Sequence, residues 1–144
     1  MIRICFVCLG NICRSPMAEF IMKDKVKRLG LEDKFLIESR ATSYEEDGND
    51  IYPLAKEMLD KNNISYTKHK STRLENSDNK KYDYFICMEE ANICYAEKIL
   101  GKDTSKVIKL LDRDISDPWY TGDFQSTYDD LCEGIDKLIV KFSK

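Results

Sequence analysis

The stretch Ile2–Ser15 reads IRICFVCLGNICRS, and an interpretation of the fold can start from it. It opens with a short apolar run, Ile2–Val7, that ends in a loop containing glycine, and this pattern predicts a buried β-strand. Ser15 and Pro16 then favour the start of a helix, because serine suits the N-cap and proline suits the first helical position. A strand that leads through a loop into a helix is typical of α/β folds.

The same alternation continues along the chain. Further strands are predicted at Phe35–Ala41, Tyr84–Met88 and Val107–Leu111, and helices are predicted from Ser15 to Gly30, from Pro53 to Asn62, over Glu89–Leu100 and over Phe124–Phe142. The polar stretches Thr42–Asp50 and Lys68–Lys81 are predicted to be surface loops. We expect one domain over residues 1–144, a parallel sheet with helices on both faces. Such sheets bind ligands at the carboxyl ends of their strands, which points to the loops after the first and fourth strands.

Composition narrows the class of protein. The 144 residues carry a net charge of −3 with acids and lysines interleaved, which argues against a nucleic-acid surface. No apolar run is long enough to span a bilayer, and Ile2–Val7 lacks the cleavage site of a signal peptide. Cys5 and Cys8 form the only Cys-x-x-Cys spacing among the six cysteines, and the absence of a second such pair, with a single histidine, argues against structural zinc. We therefore expect a cytoplasmic protein with reduced thiols and no membrane partner, and His69 is predicted to make a structural hydrogen bond.

The loop Cys8–Ser15 has the residues that a phosphate site needs. A loop that curls into a helix N-terminus directs its backbone N–H groups inward, and the helix dipole adds partial positive charge. Gly10 and Asn11 tolerate the positive φ that such a curl often demands. Arg14 can reach two phosphate oxygens with its fork of donors. The same field favours the thiolate form of Cys8, which would face the bound phosphorus as a nucleophile.

The loop after the fourth strand supplies a proton donor. Asp117 is the candidate general acid, because a phenolate or alkoxide leaving group needs a proton, and it could later activate water as general base. Ser15 can donate its hydroxyl to the thiolate. Trp119 and Tyr120 lie beside the acid and could wall the entrance and stack on an aromatic substrate. No metal ion is required, because Arg14 and the backbone donors supply the positive charge.

These residues belong to a longer pattern. The chain reads CLGNICRSPMAE at Cys8–Glu19, YDYFICMEEAN at Tyr82–Asn92 and DPWY at Asp117–Tyr120. Together with Ser39–Thr42, these segments resemble the low-molecular-weight protein tyrosine phosphatases, in order and spacing, over nearly the whole chain. A bare Cys-x5-Arg is a weak signal, whereas the extended loop with a distant Asp-Pro is a strong one.

The resemblance implies a fold and a reaction. The fold would be flavodoxin-like: a three-layer sandwich with a four-stranded parallel sheet between helices. Cys8 would form a phosphocysteine intermediate, Arg14 would bind the phosphate, and Asp117 would be the general acid. The substrate would be a phosphotyrosine-containing protein or a small aryl phosphate, and the enzyme would need no cofactor. A monomer is the simplest expectation.

The resemblance also implies supporting roles around the loop. Asn11 and Ser15 would brace it, and Cys13 would pair with Cys8 in a reversible disulfide. An apolar Ile12 resembles the tyrosine phosphatases, whereas threonine there resembles the protein-arginine phosphatases. The phosphate would lie against Leu9, Gly10, Asn11, Ile12, Cys13 and Arg14, and the aromatic slot would be lined by Ile12, Tyr44, Trp119 and Tyr120.

Two departures and two alternatives remain open. Arg40 stands where the family usually has a small residue, and Glu89 where it usually has aspartate. The nearest alternative function is arsenate reduction, in which Cys8 would attack arsenate and Cys87 and Cys94 would relay electrons. The other is a phosphate or phosphopeptide binder that retains the loop and lacks the chemistry.

Overall fold

The computed structural model describes residues 1–101 and 105–143. The predicted domain, 1–144, also includes residues 102–104 and 144, which lie outside this described part. The sheet has four parallel strands in the order β2-β1-β3-β4, namely β1 (Ile2–Cys8), β2 (Phe35–Ala41), β3 (Tyr84–Cys87) and β4 (Val107–Lys109). The predicted parallel sheet is confirmed.

Helices cover both faces of this sheet. They are α1 (Arg14–Arg28), α2 (Pro53–Lys61), α3 (Glu90–Leu100), α4 (Pro118–Thr121) and α5 (Phe124–Phe142). Side chains along β1 point alternately to the two faces of the sheet and so contribute to two hydrophobic cores. Ile4 and Phe6 pack towards α1, α2 and α5, whereas Cys5 and Val7 pack towards α3. No helix in the described part of the chain is long and apolar enough to cross a membrane.

The start of α1 differs from the prediction. The helix begins at Arg14 with Cys13 as its N-cap, so Ser15 is not the cap and Pro16 is the third helical residue. The Ser15 hydroxyl instead contacts the Cys8 sulfur and the Asn11 amide. The helix therefore starts two residues earlier than predicted, and Arg14 is part of its first turn.

The stretch Lys68–Lys81 was predicted to be a surface loop, and this is wrong in part. Ser71 and Leu74 are buried, and a backbone bridge joins Ala41 to Arg73. A short 3-10 turn follows at Asn76–Lys80. The segment covers the free edge of β2, which otherwise presents unpaired backbone groups.

Three smaller differences lie at the carboxyl end of the sheet. β3 and β4 are shorter than predicted, and α4 was not predicted at all, because four residues are too few for a periodic pattern. Because the strands are parallel, the segments that follow β1, β3 and β4 lie at this same edge of the sheet, and the predicted site residues lie in them.

Candidate active site

The loop between β1 and α1 is held open by its surroundings. All six carbonyl groups from Cys8 to Cys13 accept a hydrogen bond, at 2.8 to 3.1 Å. Five of the donors lie outside the loop and α1, so the carbonyls point outward and the N–H groups are left to point inward. The donors, in order, are the backbone of Thr42 and Ser43, the Ser71 hydroxyl, the His69 ring, and the backbone of Tyr52 and Met17.

The Cys8 sulfur lies at the centre of this ring of donors. It accepts hydrogen bonds from the backbone N–H of Asn11 at 3.3 Å and of Ser15 at 3.4 Å. The Ser15 hydroxyl oxygen lies 3.0 Å from the sulfur. Donors that converge on one sulfur stabilise its anionic form, and Cys8 is 3 % exposed, so only this one face meets the cleft.

Asn11 braces the loop from inside. Its φ of 58° places it in the left-handed region, so it is Asn11 and not Gly10 that takes the predicted positive φ. Its side-chain amide donates to the hydroxyl groups of Ser15 at 2.7 Å and Ser39 at 2.9 Å, and its oxygen accepts from the Thr72 N–H at 3.2 Å. The predicted support by Asn11 therefore reaches from the loop to β2 and to the covering segment.

Arg14 is buried, and its guanidinium reaches the cleft from below. It donates to the Ile115 carbonyl at 2.9 Å, and its other terminal nitrogen contacts Glu89 at 3.2 Å and Asp117 at 3.3 Å. Burial by itself lowers the pKa of Arg14, but the negative charges of Cys8, Asp117 and Glu89 raise it above its usual value. The side chain stays charged, and its position is fixed from the loops that follow β3 and β4.

Asp117 is brought to the same cleft by the segment after β4. It is the N-cap of α4, where one carboxylate oxygen accepts the Trp119 N–H at 3.0 Å and the other faces Arg14. The cleft is lined by the loop Cys8–Arg14, by Glu45 and Glu46 on one side, and by Asp117, Trp119 and Tyr120 on the other. The structure thus brings the candidate nucleophile, cation and acid together.

A comparison with known proteins agrees with this geometry. The family model described as "Low molecular weight phosphotyrosine protein phosphatase" matches residues 3–144. The chain belongs to this family. It is 35 % identical over 152 residues to the Low molecular weight protein-tyrosine-phosphatase YfkJ of Bacillus subtilis, covering 100 % of this chain and 97 % of that protein.

Two solved structures of the same family are similar in fold. SP-PTP, a low molecular weight protein tyrosine phosphatase from Streptococcus pyogenes, has a TM-score of 0.92 with 38 % identity, covering 98 % of this chain and 93 % of that one. YfkJ from Bacillus subtilis has a TM-score of 0.96 with 34 % identity, covering 99 % and 95 %. The flavodoxin-like fold implied by the resemblance is confirmed.

The predicted aromatic slot of the phosphatase cleft needs one correction. Ile12, Trp119 and Tyr120 line the cleft, but Tyr44 does not. The Arg73 guanidinium carbon lies over the Tyr44 ring, 4.6 Å from the ring centroid. Tyr44 is 67 % exposed. Because the chain turns after Tyr44, the next two residues, Glu45 and Glu46, reach the cleft wall instead.

Cys13, Cys87 and Cys94 differ in their burial and in their distance from the cleft. Cys13 borders the cleft, and burial followed by the negative charge of Cys8 raises its pKa to about 12. Cys87 is fully buried on the face that packs against α3, and Cys94 is exposed on α3. Neither of these two lines the cleft, so the geometry gives no support to an arsenate relay through them.

Both departures from the family pattern find partners. Glu89 caps α3 in a reciprocal pair with Asn92 and binds Arg14, so the longer side chain still reaches the cation. Arg40 donates to the Ser39 carbonyl and lies 3.8 Å from the Asp78 carboxylate. Arg40 therefore ties β2 to the covering segment and does not enter the cleft.

Several functional residues were missed from the sequence. His69 was predicted to make a structural hydrogen bond, and that bond is to the Asn11 carbonyl of the loop, at 2.8 Å. Since a carbonyl only accepts, Nε2 carries the proton. Ser39 and Ser71 also hold the loop, and only the position of Ser39 near the carboxyl end of β2 could have indicated this.

Proposed function

We propose that this chain is a metal-independent protein-tyrosine phosphatase that works through a phosphocysteine on Cys8. The observation that carries the proposal is the ring of outward carbonyls with one sulfur at its centre. A phosphate dianion fits a cradle of inward N–H groups and one guanidinium, and it would lie directly above the Cys8 sulfur. Arg14 and the loop from Leu9 to Cys13 supply the charge stabilisation that a metal ion supplies in other phosphatases.

In the first step the Cys8 thiolate attacks phosphorus, and a phosphorus–sulfur bond forms as the phosphorus–oxygen bond to the phenol breaks. Asp117, protonated at this stage, gives its proton to the departing phenolate oxygen. Arg14 moves its hydrogen bonds from carboxylates to the equatorial oxygens, where charge is greatest in the transition state.

In the second step water attacks the phosphocysteine. Asp117, now a carboxylate, takes a proton from that water, and the phosphorus–sulfur bond breaks to give inorganic phosphate and the Cys8 thiolate. The Ser15 hydroxyl, 3.0 Å from the sulfur, donates to the leaving thiolate and lowers the cost of its release.

The proposed substrates are phosphotyrosine-containing proteins and small aryl phosphates. The family name and the wall formed by Trp119 and Tyr120 support an aromatic leaving group. A catalytic thiolate works in a reducing compartment, so we place the enzyme in the cytoplasm. Within this proposal the chain acts alone, since the loop, the cation and the acid all come from one copy.

Trapping tests the proposal directly. The parent should hydrolyse p-nitrophenyl phosphate in excess chelator, and rapid acid quenching followed by mass spectrometry should find phosphate on Cys8. The Cys8→Ser variant should bind inorganic phosphate and lose turnover by at least about 10⁴-fold. Cys94→Ser, which removes an exposed thiol away from the cleft, is the control and should retain full activity.

Two results would count against the proposal. Loss of parental activity on chelation would contradict the metal-free mechanism. Binding of phosphate without any turnover by the parent would support a phosphopeptide binder in place of an enzyme.

A further inference from the structure

Tyr52 lies outside the cleft lining, between two other aromatic rings. It precedes α2 as its N-cap residue and makes no side-chain capping bond, so capping does not explain its side chain. Its ring meets the Trp119 ring edge to face, with centroids 4.8 Å apart and an interplanar angle of 64°. On the other side it stacks on Phe124 at 6.2 Å and 12°. Phe124 is buried, so the three rings form a stack that runs from the core to the cleft wall.

Trp119, at the outer end of the stack, needs such a support. It belongs to a helix of only four residues and is 50 % exposed, so its indole has solvent on one side and the Tyr52 ring on another. Its backbone N–H is held by the Asp117 carboxylate at 3.0 Å. The orientation of the indole is thus linked on one side to the candidate acid and on the other to the Tyr52 ring.

Tyr52 also contacts the loop between β1 and α1, through its backbone. Its N–H donates to the Ile12 carbonyl at 2.9 Å, one of the six bonds that hold the phosphate loop open. The backbone bond survives any side-chain substitution, so the role of the ring can be tested while the loop stays intact.

We infer that the Tyr52 ring is a positioning residue for recognition of the aromatic part of the substrate. It holds the Trp119 indole at the cleft wall, where the indole meets the aryl ring of a phosphate ester, and it leaves the binding of the phosphate group itself unchanged. The substrate half of this inference rests on the proposed phosphatase function, whereas the support of Trp119 by Tyr52 does not.

The sequence offers a clean spectroscopic readout, because Trp119 is its single tryptophan. In Tyr52→Leu, the indole should become more accessible to acrylamide and its fluorescence anisotropy should fall. Tyr52→Phe retains the ring and should behave as the parent. Tyr84→Leu is the matched control: it breaks the Tyr84–Phe142 pair, also with centroids 4.8 Å apart, and should leave the Trp119 signal unchanged.

Steady-state kinetics test the second part of the inference, which concerns recognition of the aromatic part of the substrate. In Tyr52→Leu the KM for p-nitrophenyl phosphate should rise roughly 3- to 10-fold, the loss expected for one aromatic pair, with a smaller change in kcat. The inhibition constant of inorganic phosphate, which contacts the cradle alone, should stay within about 2-fold of the parent. Tyr52→Phe should restore the KM.

The outcomes separate the two proposals. Unchanged quenching and anisotropy in folded Tyr52→Leu, checked by circular dichroism, overturn the inference; if that variant does not fold, Tyr52→Met is judged by the same criterion. A parallel rise in the KM and in the inhibition constant of phosphate also overturns it, because Tyr52 would then support the cradle. An inactive parent with the expected fluorescence change supports the contact between Tyr52 and Trp119, and it removes the proposed function together with the substrate half of the inference.

Discussion

At the scale of a single residue, the two carboxylate oxygens of Asp117 have different partners. One oxygen caps α4 by accepting the Trp119 N–H, and the other faces Arg14 at 3.3 Å. The first bond fixes the carboxyl group against its own helix, so the second oxygen is the one directed into the cleft. A general acid needs such a fixed geometry, because the proton must pass to one particular oxygen of the substrate.

Asp117→Asn separates these two functions of the carboxylate. The amide oxygen can still cap α4, but the side chain can no longer supply a proton. We expect kcat/KM, which reports the steps up to departure of the leaving group, to fall about 100-fold for phenyl phosphate and much less for p-nitrophenyl phosphate, because its leaving group needs little protonation. Steady-state kinetics with both esters check this, and Asp114→Asn, an exposed carboxylate paired with Lys109, is the control. Equal losses with both esters would remove Asp117 from the acid role.

Cys13 carries the second prediction at this scale. Burial, followed by the charge of Cys8, raises the pKa of Cys13 to about 12, so Cys13 is a thiol at neutral pH and is poorly reactive towards an oxidant itself. Hydrogen peroxide would convert Cys8 to a sulfenic acid, which condenses with the Cys13 thiol to a disulfide and releases water. After peroxide treatment, dithiothreitol should restore most of the activity of the parent protein. In Cys13→Ser, the fraction of activity that dithiothreitol restores should be several-fold smaller. Equal recovery would contradict the pairing, and peptide mapping identifies the oxidised form.

The candidate nucleophile, cation and acid could be predicted from the sequence because their positions follow from simple rules. Cys8 and Arg14 share one loop, and Asp117 follows a strand that ends at the same edge of the sheet. His69 and Ser71 were out of reach, because each acts on a loop residue 58 or 61 positions away. A residue that acts only through a distant hydrogen bond has no local pattern to reveal it.

At the scale of elements, the sequence predicted best where burial is regular. β2 alternates buried and half-buried residues along Phe35–Ala41, and its predicted bounds are those of the structure. The predicted start of α1 was wrong because the Ser15 hydroxyl contacts the Cys8 sulfur and does not cap the helix. Helix propensity is a local preference, and the contacts of the site override it there.

The packing of α5 gives a prediction at this scale. An added Cβ at Gly134 would clash with Cγ of Leu110, in the segment that leads from β4 towards Asp117, and would lie 2.8 Å from its Cδ1. Gly134→Ala should therefore lower the free energy of unfolding by about 1–3 kcal/mol through overpacking, although alanine is the better helix former. Urea denaturation checks this, with the exposed Val140→Ala on the same helix as control. A stabilised Gly134→Ala would mean that Leu110 moves aside freely.

At the scale of the whole molecule, charge is unevenly placed around the cleft. The chain has a net charge of −3, and the buried cation Arg14 is the only lysine or arginine among the described residues that line the cleft. Glu45 and Glu46 stand on the wall opposite Trp119 and Tyr120, and neither forms an ion pair within the described part of the chain. A substrate thus meets a cation at the bottom of the cleft and two carboxylates at its rim.

This arrangement predicts a preference among phosphotyrosine peptides. At low ionic strength, a peptide with lysines beside the phosphotyrosine should have a kcat/KM about 2- to 5-fold above that of the same peptide with glutamates, the range expected for exposed ion pairs. Replacing Glu45 and Glu46 together by glutamine should bring this ratio close to one and leave p-nitrophenyl phosphate hydrolysis unchanged. The control replaces exposed Glu32 and Asp33 by their amides, which changes the net charge equally at the far end of β2. If both double variants lower the ratio alike, the preference comes from overall charge and not from the rim.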